Sequence, residues 1–320
     1  MRIISALLVL LLGCTAAAAQ TYPNKPIRLV VGFAPGGAAD IISRAIGDPL
    51  GRALGQGIII DNKPGAGSSI AVEFVARSSP DGYTILVASQ SGMIVNPVIN
   101  KNISYNTERD FATISKITSS PLVVAVNPAL PVHSVRELIA AAKKAPGKLN
   151  FASSGNGSVP HLAAVLFGAL TGVEMVHVPY KSGGQSVQSV LAGDTQVTFA
   201  TSPSVLPLVQ AGRLRALAVT SRERTPLVPG LPGMEEAGLA NYDMSVWYGF
   251  FAPAATPGDV IKRLFDATTL ALQSPNLKQV LAHDGTELTG SRSPEDFAAF
   301  VRDEAKLWAR IIRESGMKLD

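Results

Sequence analysis

The chain has 320 residues, 47% of them hydrophobic, long enough for two ordinary domains with buried cores. Its 28 basic and 24 acidic residues leave a formal charge of +4, with no Lys/Arg run and only 6% aromatics. A basic stripe interleaved with aromatics is absent, which sets nucleic-acid binding aside, and one cysteine excludes a disulfide within the chain.

Residues 1–19 read as an export signal rather than as fold. Arg2 gives a short positive start, "IISALLVLLLG" an apolar run too short to span a bilayer, and Ala17 and Ala19 an Ala-x-Ala site before Gln20. "LLGC" also resembles a lipoprotein cleavage box, with Gly13 before Cys14 as lipid acceptor. Two expectations stay open: cleavage after Ala19, or a lipid anchor at Cys14. No later run reaches transmembrane length without a charge, proline or glycine cluster, so the exported body is expected to be soluble and periplasmic.

From residue 27 the pattern alternates. "IRLVVGF" (27–33) is a buried strand, and "ADIISRAIGDPL" (39–50) a helix with Ile41, Ile42, Ala45 and Ile46 on one face. "GIIIDN" (57–62) is a strand, "SIAVEFVARSSP" (69–80) a helix, "YTILVAS" (83–89) and "PLVVAV" (121–126) strands. Ser134 opens a helix with Glu137 three residues on, a capping-box spacing. "LNFASSG", "HLAAVLFGALTG", "EMVHVPY", "SVQSVLAGD", "TQVTFAT", "SVLPLVQAG" and "LRALAVT" continue the alternation. Ser293 caps a last helix with an apolar stripe of Phe297, Phe300, Val301, Trp308, Ile311 and Ile312, closed by Gly316. This order predicts an α/β fold with mostly parallel sheets and helices on both faces. No linker separates two beads, so two strands are expected to cross between the domains: "SPLVVAVNP" and "SVWYGFFAP".

The stretch "VVGFAPGGAAD" (30–40) puts Pro-Gly-Gly where a buried strand hands over to a helix. Such a turn leaves free backbone amides at a helix N-terminus, which carries about half a positive charge and accepts an anion. "ASQSG", "ASSGNGS" and "ATSPS" repeat the arrangement after three further strands. One such loop is ordinary turn chemistry. Four, divided between the two halves, point to a shared cleft rich in amides and hydroxyls. Asp40, in the first helical turn, reads first as a cap that shapes its loop and second as a contact for a ligand amine or hydroxyl. His161, at a helix start, is either a ligand contact or a satisfied structural histidine.

Catalytic motifs are lacking. There is no G-x-S-x-G, His133, His161, His177 and His283 show no metal-ligand spacing, and "GFAPGG" is neither G-x-G-x-x-G nor a Walker loop. No enzyme activity, cofactor or metal is expected.

The stretch from "YPNKPIRLVVGFAPGGAADIISRAIGDPLG" through "DGYTILVAS", followed by "NPVINKNISYNTERDFATIS", "YKSGGQSVQSVLAG" and "WYGFFAPAATP", resembles the Bug-type receptors of the tripartite tricarboxylate transporters over essentially the whole mature chain. The resemblance implies a type II periplasmic binding protein: two α/β lobes, two crossing strands and a cleft for a small carboxylated solute. The lobes are expected at 20–122 with a return at 248–320, and at 123–247. It carries Pro35, Gly36, Gly37 and Asp40 of the first loop, Ser89 and Ser91 of the second, and Ser153, Gly155 and Ser158 of the third into the ligand site. Phe33, Ala38, His161, Thr201 and Trp247 complete the candidate set. The chain departs from the family's "YKGxGPAxxDL" at Ser182, Gln185 and Ser189, and has Val165 and Thr201 where acidic residues are frequent. These changes fit a pocket that repels anions less, or one that holds no amine. The expected partners are the solute and membrane subunits of the transporter, with the receptor itself a monomer; a ligand-sensing subunit of a signalling system would need the same cleft.

Overall fold

The structure, a computed structural model, describes residues 22–314. The expected export segment with Cys14, and Gly316, lie outside the described residues.

The chain begins with β1 (Ile27–Val31), α1 (Ala38–Leu54), β2 (Ile58–Asn62), α2 (Ser69–Ala76) and β3 (Thr84–Ser89). β1 is central, parallel to β2 on one side and to β3 on the other. All its residues but Arg28 are buried, as expected of a strand covered on both faces. α1 runs through Pro49, beyond the stop that this proline signals, because its core face continues from Ile46 to Leu50 and Leu54. It ends at Gly55, whose φ of 74° is the left-handed C-terminal conformation glycine favours.

β4 (Phe111–Val126) is longer than the strand read from the sequence, which starts only at Pro121. Its first part pairs antiparallel with β9 (Ser245–Pro253), and two register shifts, between Thr113 and Ser115 and between Lys116 and Thr118, break the alternation that marks a strand. Its last five residues, Leu122–Val126, pair with β7 (Val197–Thr201) and β8 (Arg215–Val219). Pro121, with no N–H to offer a ladder, stands at the changeover. Beyond β4 come α3 (Val135–Lys144), β5 (Asn150–Ser153), α4 (Val159–Thr171), β6 (Val176–Pro179), α5 (Gly183–Ala192), β7, α6 (Ser202–Gln210) and β8. β5 is parallel to β6 and to β7.

The strand order β2-β1-β3-β9-β4-β7-β5-β6 sets a parallel cluster on each side of the antiparallel pair β9/β4. The chain passes between the two halves at Pro121/Leu122 and again at Met244/Ser245, where Met244 N–H still bonds Thr220 O and Ser245 already faces Pro121. The remaining elements, α7 (Gly258–Leu272), α8 (Pro275–His283), β10 (Glu287–Leu288) and α9 (Pro294–Glu314), return to the first half, with β10 pairing β4. Ser293 Oγ accepts Asp296 N–H at the start of α9, whose Phe297 and Trp308 are buried. Among the described residues no helix is long and apolar enough to cross a membrane.

Candidate functional site

The turn from β1 to α1 is held by Asp40. Its carboxylate accepts the Gly36 amide at 3.0 Å, Asn62 Nδ2 at 3.0 Å and Arg44 Nε at 3.0 Å, and Asn62 Nδ2 also donates to Phe33 O at 2.9 Å. Burial alone would raise the Asp40 carboxyl; the donors Arg44, Gly36 and Asn62 outweigh it and hold the group below the usual carboxylate range. Gly36 has φ 83°, a left-handed turn that suits glycine. Asp40 therefore spends its charge on its own loop. Gly37 occupies the N-cap of α1 and brings no capping side chain. The first amides of this 17-residue helix, at Ala38 and Ala39, are left without an acceptor among the described residues.

Two of the other helices that meet here, α4 and α5, are closed by their own side chains, whereas α6, like α1, has no side-chain cap. At α4, Ser158 Oγ accepts His161 N–H at 3.4 Å. At α5, Ser182 Oγ accepts Gln185 N–H at 3.3 Å while Gln185 Oε1 accepts Lys181 N–H at 3.1 Å, so "SGGQ" works as a capping box displaced by one residue. At α6, Thr201 Oγ1 lies 3.0 Å from Ser204 Oγ, and Pro203 removes one amide.

Between these four helix starts lies a small cavity lined by Phe33, Gly37, Ala38, Ala39, Ser89, Ser91, Ser154, Val159, Pro160, Gly183, Thr201, Val246 and Tyr248. No lining side chain is charged. The cavity holds about 20 Å³, roughly one water and too little for a dicarboxylate, so the two sides of the cleft stand closer here than a bound solute allows. Ser91 Oγ is buried with no hydrogen-bond partner, and no partner is found for the hydroxyls of Ser89, Ser154 and Tyr248 among the described residues. Contacts across the cleft hold it shut: Ala34 N–H donates to Lys181 O at 3.1 Å, and Gly36 packs against Gly184.

Of the residues singled out by sequence, Phe33, Gly37, Ala38, Ser89, Ser91 and Thr201 line the cavity. Pro35 and Gly36 line an outer groove beside it, with Tyr180 and Gly184. Ser153, Gly155, Ser158 and His161 do not line the cavity; they build the loop that presents Ser154. Ser153 Oγ accepts the Gly155 amide at 3.1 Å and meets His177 Nε2 at 2.6 Å, and His161 Nδ1 accepts the Gly157 amide at 3.1 Å. The His161 and His177 rings stack at 4.0 Å, and Phe151 stacks on His177 at 4.8 Å. Burial pushes His161 down to about 4; burial, then the neighbouring His161, push His177 down to about 3. Both are neutral at ordinary pH.

Trp247 points away from the cavity. Its Nε1 donates to Glu304 at 2.9 Å, and its ring packs edge-on against Phe297 and Phe300. Successive strand residues face opposite ways, so Val246 and Tyr248 line the cavity instead. Strict alternation through "SVWYGFFAP" was the signal that could have picked out Tyr248. Among the family departures, Ser182 and Gln185 form the cap of α5, and Ser189 bonds Tyr180 Oη and Thr195 Oγ1, at 2.6 and 2.9 Å.

Comparison with known proteins identifies relatives along the whole fold. The model of the tripartite tricarboxylate transporter family receptor matches residues 42–317. An R. palustris protein solved with adipate is 32% identical, with a TM-score of 0.89 over 92% of this chain and 99% of that one. The periplasmic binding protein BugD is 29% identical, with a TM-score of 0.89 over 93% of this chain and 99% of its own. MatC from Rhodopseudomonas palustris with bound malate is 27% identical, with a TM-score of 0.87 over 91% of this chain and all of that one. The chain belongs to the tripartite tricarboxylate transporter family of receptors, binding proteins rather than enzymes, and has their α/β periplasmic binding protein fold.

Proposed function

We propose that this protein is an extracytoplasmic receptor that closes its two lobes on a small carboxylate and delivers it to the membrane subunits of a tripartite tricarboxylate-type transporter. The observation that carries this reading is the uncapped N-terminus of α1, opening onto a cavity without a charged side chain. Its amides and partial positive charge suit one carboxylate group, and Ser91 Oγ beside them lacks any other partner. An ammonium would find no carboxylate in the lining, since Asp40 is already engaged by three donors. The relatives solved with adipate and malate support a carboxylate as the solute class.

In this reading Gly37, Ala38, Ser89, Ser91 and Thr201 touch the solute, with Phe33 as an apolar wall, while Asp40, Ser153, Ser158 and His161 shape the loops behind them. Lobe 1 comprises the chain up to Pro121 and from Ser245 onward, lobe 2 the stretch between, and the crossings at these points serve as the hinge. Residues 1–19 direct export. The test is a thermal-shift screen of the purified mature chain against mono- and dicarboxylates. A ligand that binds only the native state at a hundred times its Kd adds about 2.7 kcal/mol of stability, a shift of several degrees. No shift with any carboxylate would reject the reading.

A further inference from the structure

We infer that Tyr248 determines solute specificity: its hydroxyl donates to a second oxygen-bearing group of the solute, distinct from the carboxylate held by α1. This rests on the receptor reading above and narrows it to acids with a second hydroxyl, carbonyl or carboxylate.

Tyr248 is 5% exposed, lines the cavity and has no hydrogen-bond partner among the described residues. Its hydroxyl oxygen is not among the fully buried unpaired ones, so it keeps surface through which to donate to a solute. Its neighbours on the same face repeat the pattern. Tyr248 pairs with Ser89 of β3 and with Thr118 of β4, and directly opposed antiparallel residues point the same way. Ser89 also lines the cavity, and Thr118 Oγ1 is buried without a partner. Three adjacent strands thus bring hydroxyls to one row. β9 is two strands from β1 in the sheet order, so Tyr248 reaches the cavity from a different element than the α1 amides and is placed to engage a different group of the solute.

The ring is well fixed. Trp247, on the opposite face, is held by Glu304, and its amide donates to Gln90 Oε1 at 3.2 Å. Gln90 Nε2 in turn donates to Ser245 O. β9 is therefore clamped just before Tyr248. Burial raises the phenol above its ordinary value, so it stays a protonated donor.

The experiment is calorimetric titration of wild type and Tyr248→Phe with succinate and butyrate, acids of equal carbon number that differ in the second carboxylate. Wild type should bind succinate more tightly. Tyr248→Phe should weaken succinate about ten-fold, the size expected for a lost hydrogen bond to a charged group, and leave butyrate within two-fold. Its melting temperature should not fall, because the lost hydroxyl has no protein partner. Equal losses for both acids, a loss for neither, or tighter wild-type binding of butyrate would overturn the assignment. If wild type binds neither acid while another carboxylate shifts its melting, this assignment falls and the receptor reading stands. If no carboxylate shifts it, both fall.

Discussion

Gly184→Ala separates closure of the cleft from stability of the fold. Gly184 sits in the first turn of α5, and a Cβ there would lie 2.6 Å from Gly36 O and 3.0 Å from Gly36 C across the cleft. Those are backbone atoms of a loop pinned by Asp40, so they do not swing aside. The closed form must open by several tenths of an ångström or absorb the strain, and overpacking of this kind costs about 1–3 kcal/mol. A ligand that needs closure would lose affinity by roughly 5- to 150-fold. Stability should move the other way. Gly184 has ordinary negative-φ geometry, and Ala in place of Gly restricts the unfolded chain by about 0.4–1 kcal/mol. The assay pairs urea unfolding of the free protein with calorimetric titration of whichever carboxylate the thermal screen finds. Gly258→Ala is the control, because a Cβ there meets nothing within 4 Å. Wild-type affinity in Gly184→Ala would show that the Gly36–Gly184 contact is released when the solute is bound, and would refute the prediction.

Gly37→Val should abolish carboxylate binding while the protein stays folded. Its φ of −87° suits any residue, but even a Cβ would stand 3.4 Å from Gly183 N and Ser182 Cβ, and a branched side chain would fill the approach to the α1 amides; circular dichroism checks the fold and calorimetry the binding. X-ray scattering should show a monomer whose radius of gyration falls on adding ligand, and equal radii at saturation would count against a closing cleft. Stability should drop between pH 7 and pH 5. His161 is held near 4 in the folded state against 6.5 ordinarily, so the unfolded chain takes up the proton first. The stabilisation is complete above about 6.5 and is lost as pH falls toward 4, about 3 kcal/mol for this group. Between pH 7 and pH 5 about 2 kcal/mol of this is lost; urea melts at the two pH values measure that part, and a His161→Phe variant should show a flatter profile.

Much of the fold was legible because local pattern and tertiary role agree. β1, α1 and β3 are read from buried runs and a single-faced helix, and the crossing strands from apolar stretches ended by proline. The first part of β4 was not legible: two register shifts break its alternation, and Lys116 and three serines interrupt the apolar pattern. The lining of the cavity was partly legible. Gly37, Ser89 and Ser91 stand out because strand-to-helix turns rich in Gly and Ser are visible in sequence. Ser153 and Ser158 carry the same signal but spend their hydroxyls on their own loop, which only hydrogen-bond geometry reveals. Trp247 attracted notice as a large aromatic, whereas the strand turns it toward Phe297 and Glu304 and gives Tyr248 to the cleft.

The central claim is that a carboxylate, unaccompanied by an ammonium, is what the cleft recognises. Calorimetric titration of the mature protein with succinate, benzoate and glutamate tests it most directly. A buried ammonium without a carboxylate partner is costly, and no acid lines the cavity. The account predicts that an acid without an ammonium binds tightest and that glutamate is the weakest of the three. Tightest binding of glutamate would contradict it, and would make Asp40 the partner of the ammonium rather than the clamp of its own loop.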